Sequence, residues 1–350
     1  MQRLRVSTFV IAAIAITVIA FPASPAARGA VTPLRIKLAT LAPKDTSYHR
    51  ILLEMGEKWR KASNGQVDLT VYPGGTQGSE ADTVKRMNVG QLQAAMLSVG
   101  GLSEIDPAVT ALQEIPLLFR SLTEVEYVRE KLGPDLERRL LAKGFVALFW
   151  GDSGWVRFFS RNAATRPDDF KSMKIFVTAS DAAKEMQIMQ GLGYKPVALD
   201  WSDILTSMQT RMIDVVPAPP IIALSGQYYM VTKHMTELNW APLVGATVIT
   251  KQAWDAVPQA TREALMQAAA EAGKKIQAAS RQESEQAVET MKKKLGLEVH
   301  PLSPQAEEEW RKFAEGVYPK IRGSLVPAEM FDQVRRLVDE YRAAHPTSGQ

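Results

Sequence analysis

The stretch KIFVTASDAAKEMQIMQGLGYKPVAL, residues 174–199, decides the fold class. Lys174–Thr178 reads as a strand, Ser180 as the cap of a helix reaching about Gly191, and Pro196–Leu199 as the next strand. Asp200 then caps a helix over Trp201–Arg211, and Ile213–Val216 forms a strand ending at Pro217. Strands alternating with helices of this length imply βαβ units, hence largely parallel sheet with helices on both faces.

The same rhythm runs through the N-terminal half. Leu34–Thr40 alternates apolar and polar residues, the mark of a half-buried strand. Tyr48, Ile51, Leu52, Met55 and Trp59 then recur at helical spacing up to a stop at Asn64-Gly65. Val67–Tyr72 alternates again, Ser79 caps a helix carrying Val84 and Met87, and Ala94–Val99 is an apolar strand. A helix over about 123–143, broken at Gly133-Pro134, leads to the apolar strand Phe145–Trp150. Val244–Thr250 is a later strand. From Pro258 one long helix runs to Leu295, with Leu265, Ala269, Ala272, Ile276, Val288 and Met291 near one stripe. At 1.5 Å per residue it spans about 55 Å, enough to cross two lobes.

Composition narrows the function. The 350 residues carry 42 Lys+Arg against 38 Asp+Glu, a net charge of +4, too slight for a nucleic-acid surface. There is no Cys, which removes disulfides, thiolate metal sites, iron–sulfur clusters and Cys nucleophiles. Arg3 and Arg5 precede an uncharged run from Val6 to Phe21 and then Pro22-Ala23-Ser24-Pro25-Ala26-Ala27, the form of a cleaved secretory signal peptide, residues 1–26, with the cut between 26 and 30. The run is too short for a membrane anchor. Losing Arg3 and Arg5 lowers the charge from +4 to +2, and the mature chain is expected in the periplasm.

Catalytic constellations are scarce. The four histidines, His49, His234, His300 and His345, form no closely spaced pair, and no phosphate-cradling glycine loop or GxSxG elbow occurs. No metal site and no cofactor is expected. Gly151-Asp152-Ser153-Gly154 mimics the nucleophile segment of trypsin-like proteases, but only His49 lies upstream and the surroundings are α/β, so a tight turn is the better reading.

The order of short segments resembles the DctP-like solute receptors of tripartite ATP-independent periplasmic (TRAP) transporters. The carrying segments are Ala39–Pro43, Asn64–Val67 running into Val71–Gly75, Asn88–Leu92, Glu114–Phe119, Trp150–Arg157, Arg166–Lys171 before Met173-Lys174-Ile175, and Met208–Thr210 before Ile213-Asp214. The resemblance implies a two-lobed α/β periplasmic binding protein with mostly parallel sheets and a lobe-spanning helix. Lobe I takes 31–154 plus 243–281, lobe II takes 155–242 plus 282–340, and 341–350 is a tail. It also implies no enzyme activity, a small organic carboxylate as ligand, TRAP membrane permease subunits driven by a sodium gradient as partners, and a monomer.

In relatives two Arg residues grip the ligand carboxylate. Arg157 matches the first, and its planar fork suits two carboxylate oxygens. The second position is Phe176, and a family Asn is replaced by Ala218; both exchanges trade polar grip for apolar surface. Trp201 falls on a position that packs against the ligand, and Thr40 and Ser98 fall where relatives place polar contacts. Trp150, Trp155 and Trp240 read first as core or hinge packing, with Trp240 retained as a ligand-facing candidate because a Trp-rich cleft suits flat or apolar solutes. The expected ligand therefore offers one acidic group to Arg157 and an apolar or aromatic body to Phe176 and Trp201. The competing readings are a periplasmic sensor or scaffold, and a cleft enzyme using Asp152, Asp200 or Asp214 as acid or base.

Overall fold

The computed structural model describes residues 32–178 and 182–346. The expected signal peptide, the Ser180 cap and the last residues of the tail lie outside them. Among the described residues nine strands form one sheet: β1 (Leu34–Thr40), β2 (Val67–Tyr72), β3 (Ala94–Ser98), β4 (Phe145–Ser160), β5 (Lys174–Thr178), β6 (Lys195–Leu199), β7 (Val215–Ala218), β8 (His234–Thr250) and β9 (Glu298–His300). Their order is β2-β1-β3-β8-β4-β7-β5-β6, with β9 paired to β8. The outer ladders β2-β1-β3 and β7-β5-β6 are parallel. The joints β3-β8, β8-β4 and β4-β7 are antiparallel, so the sheet is mixed.

β4 and β8 are the surprise. Phe145–Trp150 and Val244–Thr250 are the ends of strands 16 and 17 residues long. Gly151-Asp152-Ser153-Gly154 is not a turn but part of β4, where the pairing with β8 slips between Asp152 and Trp155. Gly154 sits there at φ 79°, a conformation that costs a residue with a side chain dearly. Thus the backbone bulges here without leaving the sheet.

Two apolar cores cover the faces of the β1–β3 half. One holds Leu92, Leu102, Val128 and Leu136; the other holds Leu52, Trp59, Ile249 and Leu265. Two more cover the β5–β7 half, around Phe159, Phe176 and Met208 on one face and Phe158, Phe170 and Trp310 on the other. The long helix runs from Gln259 to Lys294, 36 residues, as its stripe predicts. It lies so close to β4 that a Cβ on Gly273 would stand 2.7 Å from Cβ of Phe149. Its N-terminal half touches the first helix, where Nε1 of Trp59 donates to the Leu265 carbonyl at 2.9 Å, and its later part reaches the core of Phe159 through Ala287 and Met291.

Two local expectations are corrected. The helix Leu122–Ala142 runs unbroken through Gly133-Pro134. Its buried row Val125, Val128, Leu132, Leu136 and Leu140 outweighs a penalty of about 3 kcal/mol for an interior proline. Asp200 makes no side-chain cap: Trp201–Asp203 is a 3-10 turn, and the helix proper covers only Ile204–Gln209.

Candidate functional site

The parallel strands β5, β6 and β7 end on the same side of the sheet, at Thr178, Leu199 and Ala218. Ligands of open α/β sheets collect outside such carboxyl ends, where strand order reverses. A cavity of about 210 Å³ lies there. Phe158, Trp240, Trp310 and Phe313 build its aromatic wall, interlocked at centroid distances of 5.4–6.3 Å. Ile188, Met189, Val317 and Ile321 add aliphatic surface from the helices Ala182–Gly191 and Pro304–Ile321. Gln113, Glu114, Glu185 and Thr178 supply the polar part. The segment at 113–117 is held against β8, since Leu117 N donates to the Trp240 carbonyl and Val244 N donates to Oε1 of Gln113. Burial and the nearby Glu114 push the Glu185 carboxyl up to about 8, so near neutral pH it is largely a hydrogen-bond donor.

The seven sequence candidates separate into three groups. Phe176, Trp201 and Trp240 line the cavity, with the Phe176 and Trp201 rings edge to face at 5.1 Å. Arg157 and Ala218 do not line it. They are direct cross-strand partners, on the sheet face opposite to Phe158 and Pro217. Parallel pairing of Ile175 with Val215 places Thr178 beside Ala218 on that same face, with Phe176 one pleat away. The cavity thus curls around the strand ends, from the Trp310 side to Phe176 and Thr178 on the Arg157 side.

Thr40 and Ser98 are engaged elsewhere. Thr40 Oγ1 accepts from Ala42 N at 3.0 Å, and Ser98 donates through its hydroxyl to Glu80. Glu80 also accepts from the backbone of Ser98 and Gly101, yet burial still raises its pKa above the usual carboxylate range. Neither residue borders the cavity.

Arg157 is the electrostatic anomaly. Its Nε is buried without a protein partner, and Nη2 reaches only Oδ1 of Asn239, at 3.5 Å. Burial lowers its pKa, while Glu237 and Glu285 act in the opposite direction from a distance. Asp152, five residues earlier on the same strand, is occupied by Arg281. None of Asp152, Asp200 and Asp214 lines the cavity; Asp214 accepts from Lys174 N at 3.0 Å. Ser153 bonds Tyr48, not His49, so the protease-like tetrapeptide has no base.

The model of bacterial extracellular solute-binding protein, family 7 (DctP), matches residues 38–323. This chain belongs to the DctP family. Family 7 consists of solute receptors, not enzymes, and the chain is a periplasmic member; among the described residues no helix is long and apolar enough to cross a membrane. The C4-dicarboxylate-binding periplasmic protein DctP of Rhodobacter capsulatus is 25% identical over 290 residues, covering 83% of this chain and 86% of that protein. The 2,3-diketo-L-gulonate-binding periplasmic protein YiaO of Escherichia coli is 23% identical over 257 residues, covering 72% and 76%. The fold matches the sugar acid binding protein DctPAm of Advenella mimigardefordensis in complex with galactonate at TM-score 0.81 and 20% identity, over 89% of this chain and 99% of that one. It equally matches a TRAP periplasmic solute binding protein of Shewanella oneidensis with bound succinate, at TM-score 0.81 and 20% identity, over 88% and 100%. These DctP structures make the two-lobed α/β architecture the fold of this chain as well.

Sequence reading missed the rest of the cavity. Glu114 opens one of the family segments but was not singled out as a site residue, Glu185 lies in none of them, and Trp310 and Phe313 come from a helix that begins more than 120 residues downstream of β5. The spacing of Trp310 and Phe313, one helical turn apart, was the only available sign.

Proposed function

We propose that this DctP-family chain captures a small organic acid between its lobes and delivers it to TRAP membrane permease subunits that use a sodium gradient. The acid carries one carboxylate, held by Arg157, and an apolar or aromatic body that enters the cavity past Phe176 and Trp201. The observation that carries this reading is the buried, unpartnered Nε of Arg157, on the face shared by Ala218, Thr178 and Phe176. A guanidinium with its Nε buried and unbonded and no ion-pair partner among the described residues is a preformed anion site, and a planar carboxylate satisfies it with two hydrogen bonds.

Two further features support it. The cavity wall is aromatic rather than polar, unlike a site built for a sugar acid with many hydroxyls. Ala218 leaves the flank of Arg157 without a side chain that could fill the place of the anion. The lobe boundaries inferred from sequence put this site at the seam, with 155–242 on one side and 31–154 on the other.

A thermal-shift panel tests the reading. Aromatic and aliphatic monocarboxylates should stabilise the mature protein, by about 2.7 kcal/mol at 100 times the dissociation constant. Stabilisation confined to neutral or dicarboxylic compounds, with binding intact in Arg157→Ala, refutes it.

A further inference from the structure

Histidines 66 residues apart are brought together by the pairing of β9 with β8, which sets His234 opposite Glu298 and Thr236 opposite His300. The two-residue period of a strand puts Glu298 and His300 on one face of β9, with His234 facing them from β8. Nδ1 of His234 lies 2.9 Å from Nε2 of His300 and 3.4 Å from Oε2 of Glu298. One donor atom from each residue lies within 4.8 Å of the other two.

These separations have a metric meaning. With metal–ligand bonds of about 2.0–2.2 Å, neighbouring donors stand about 2.9 Å apart at right angles and about 3.4 Å apart at tetrahedral angles. Both measured edges are of the length that two ligands of one ion require, and the third lies within 4.8 Å. The His234 side chain is 20% exposed and that of Glu298 66%, so the trio opens to solvent on one side.

We propose that His234, Glu298 and His300 form a three-ligand site for a first-row divalent transition ion. Two imidazoles and one carboxylate select zinc or copper over calcium or magnesium, which require mainly oxygen donors. None of the three residues lines the acid-binding cavity. The ion clasps β9, only three residues long, to β8, and so secures the passage from the long helix into the helix Pro304–Ile321.

The test is a calorimetric titration of ZnCl2 into the full mature chain after chelator treatment, with CuCl2 and electron paramagnetic resonance as a second readout. One equivalent should bind, and His234→Gln or His300→Ala should weaken binding at least about tenfold, the lower bound seen for loss of even an outer partner of a metal site. His345→Ala should leave it unchanged. The copper spectrum of the unmutated chain should show two nitrogen donors, a readout that does not depend on how a variant folds. Absence of stoichiometric binding, binding that survives both substitutions, or a spectrum with fewer than two nitrogens overturns the proposal and leaves a plain hydrogen-bonded histidine pair.

Discussion

Arg281 holds Asp152 as a fork: Nε lies 3.0 Å from Oδ1 and Nη2 2.7 Å from Oδ2, and the Asp152 side chain is wholly buried. The pair joins the bulge of β4 to the middle of the long helix. Ser280 Oγ reinforces it on the Asp152 carbonyl, and Arg281 Nη1 reaches Oε1 of Glu126. Arg129 Nη1, 4.0 Å from Oδ2 of Asp152, is the only other cation beside this buried carboxylate among the described residues, so Arg281→Ala removes both fork hydrogen bonds and should cost about 3 kcal/mol in urea unfolding. A double variant, Asp152→Asn with Arg281→Met, should cost clearly less than the sum of the singles.

Arg157 should behave in the opposite way. An unpartnered buried donor is a burden to the empty protein, so Arg157→Met should leave stability equal or raise it by about 1 kcal/mol. The same change should weaken the best carboxylate ligand by about 2–5 kcal/mol, measured by calorimetry. A fall in stability with affinity preserved would assign Arg157 a structural role.

Phe176 separates body from head in the ligand. The ring is 3% exposed and meets Trp201 at 5.1 Å, so Phe176→Ala should destabilise by about 3–5 kcal/mol. The gentler Phe176→Leu should reduce affinity for aromatic acids by about 1 kcal/mol, roughly fivefold, and for aliphatic acids much less.

Glu185 predicts a pH slope. Its folded-state pKa of about 8 lies above that of a free glutamate, so across that interval the folded protein keeps a proton the unfolded chain has lost. Stability should therefore be greatest in mild acid, fall as pH rises toward about 8, and level off beyond. Glu185→Gln should make the slope shallower; buried Glu80, raised in the same direction, keeps it from vanishing. Urea unfolding at a series of pH values measures this, and a slope unchanged by the substitution would show that Glu185 is ionised throughout.

The packing of Gly273 against Phe149 sets a fifth expectation. Gly273→Ala forces a contact at 2.7 Å, and overpacking of this kind should cost about 1–3 kcal/mol with the helix itself intact by circular dichroism.

Local periodicity was enough to find the outer parallel ladders and the 36-residue helix, because each buries its own regular stripe. It failed where a tertiary partner overrides local signals. Gly151–Gly154 reads as a turn until β8 is there to pair with it, and Gly133-Pro134 reads as a break until five buried side chains hold the helix together. Phe176 and Trp201 were legible as cavity residues by likeness to a family. Thr40 and Ser98 answered to the same likeness; in the structure Thr40 accepts from Ala42 N and Ser98 bonds Glu80. Trp310, Phe313 and the His234–His300 pair depend on contacts between distant segments, which no window of sequence contains.

The two through-going strands carry one more implication. Because β4 and β8 are hydrogen-bonded to each other along most of their length, the halves of the molecule cannot slide apart or rotate on a slack tether. The two strands form a two-ply ribbon between the β1–β3 and β5–β7 halves, and the Asp152–Arg281 clasp beside Gly154 rivets that ribbon to the long helix.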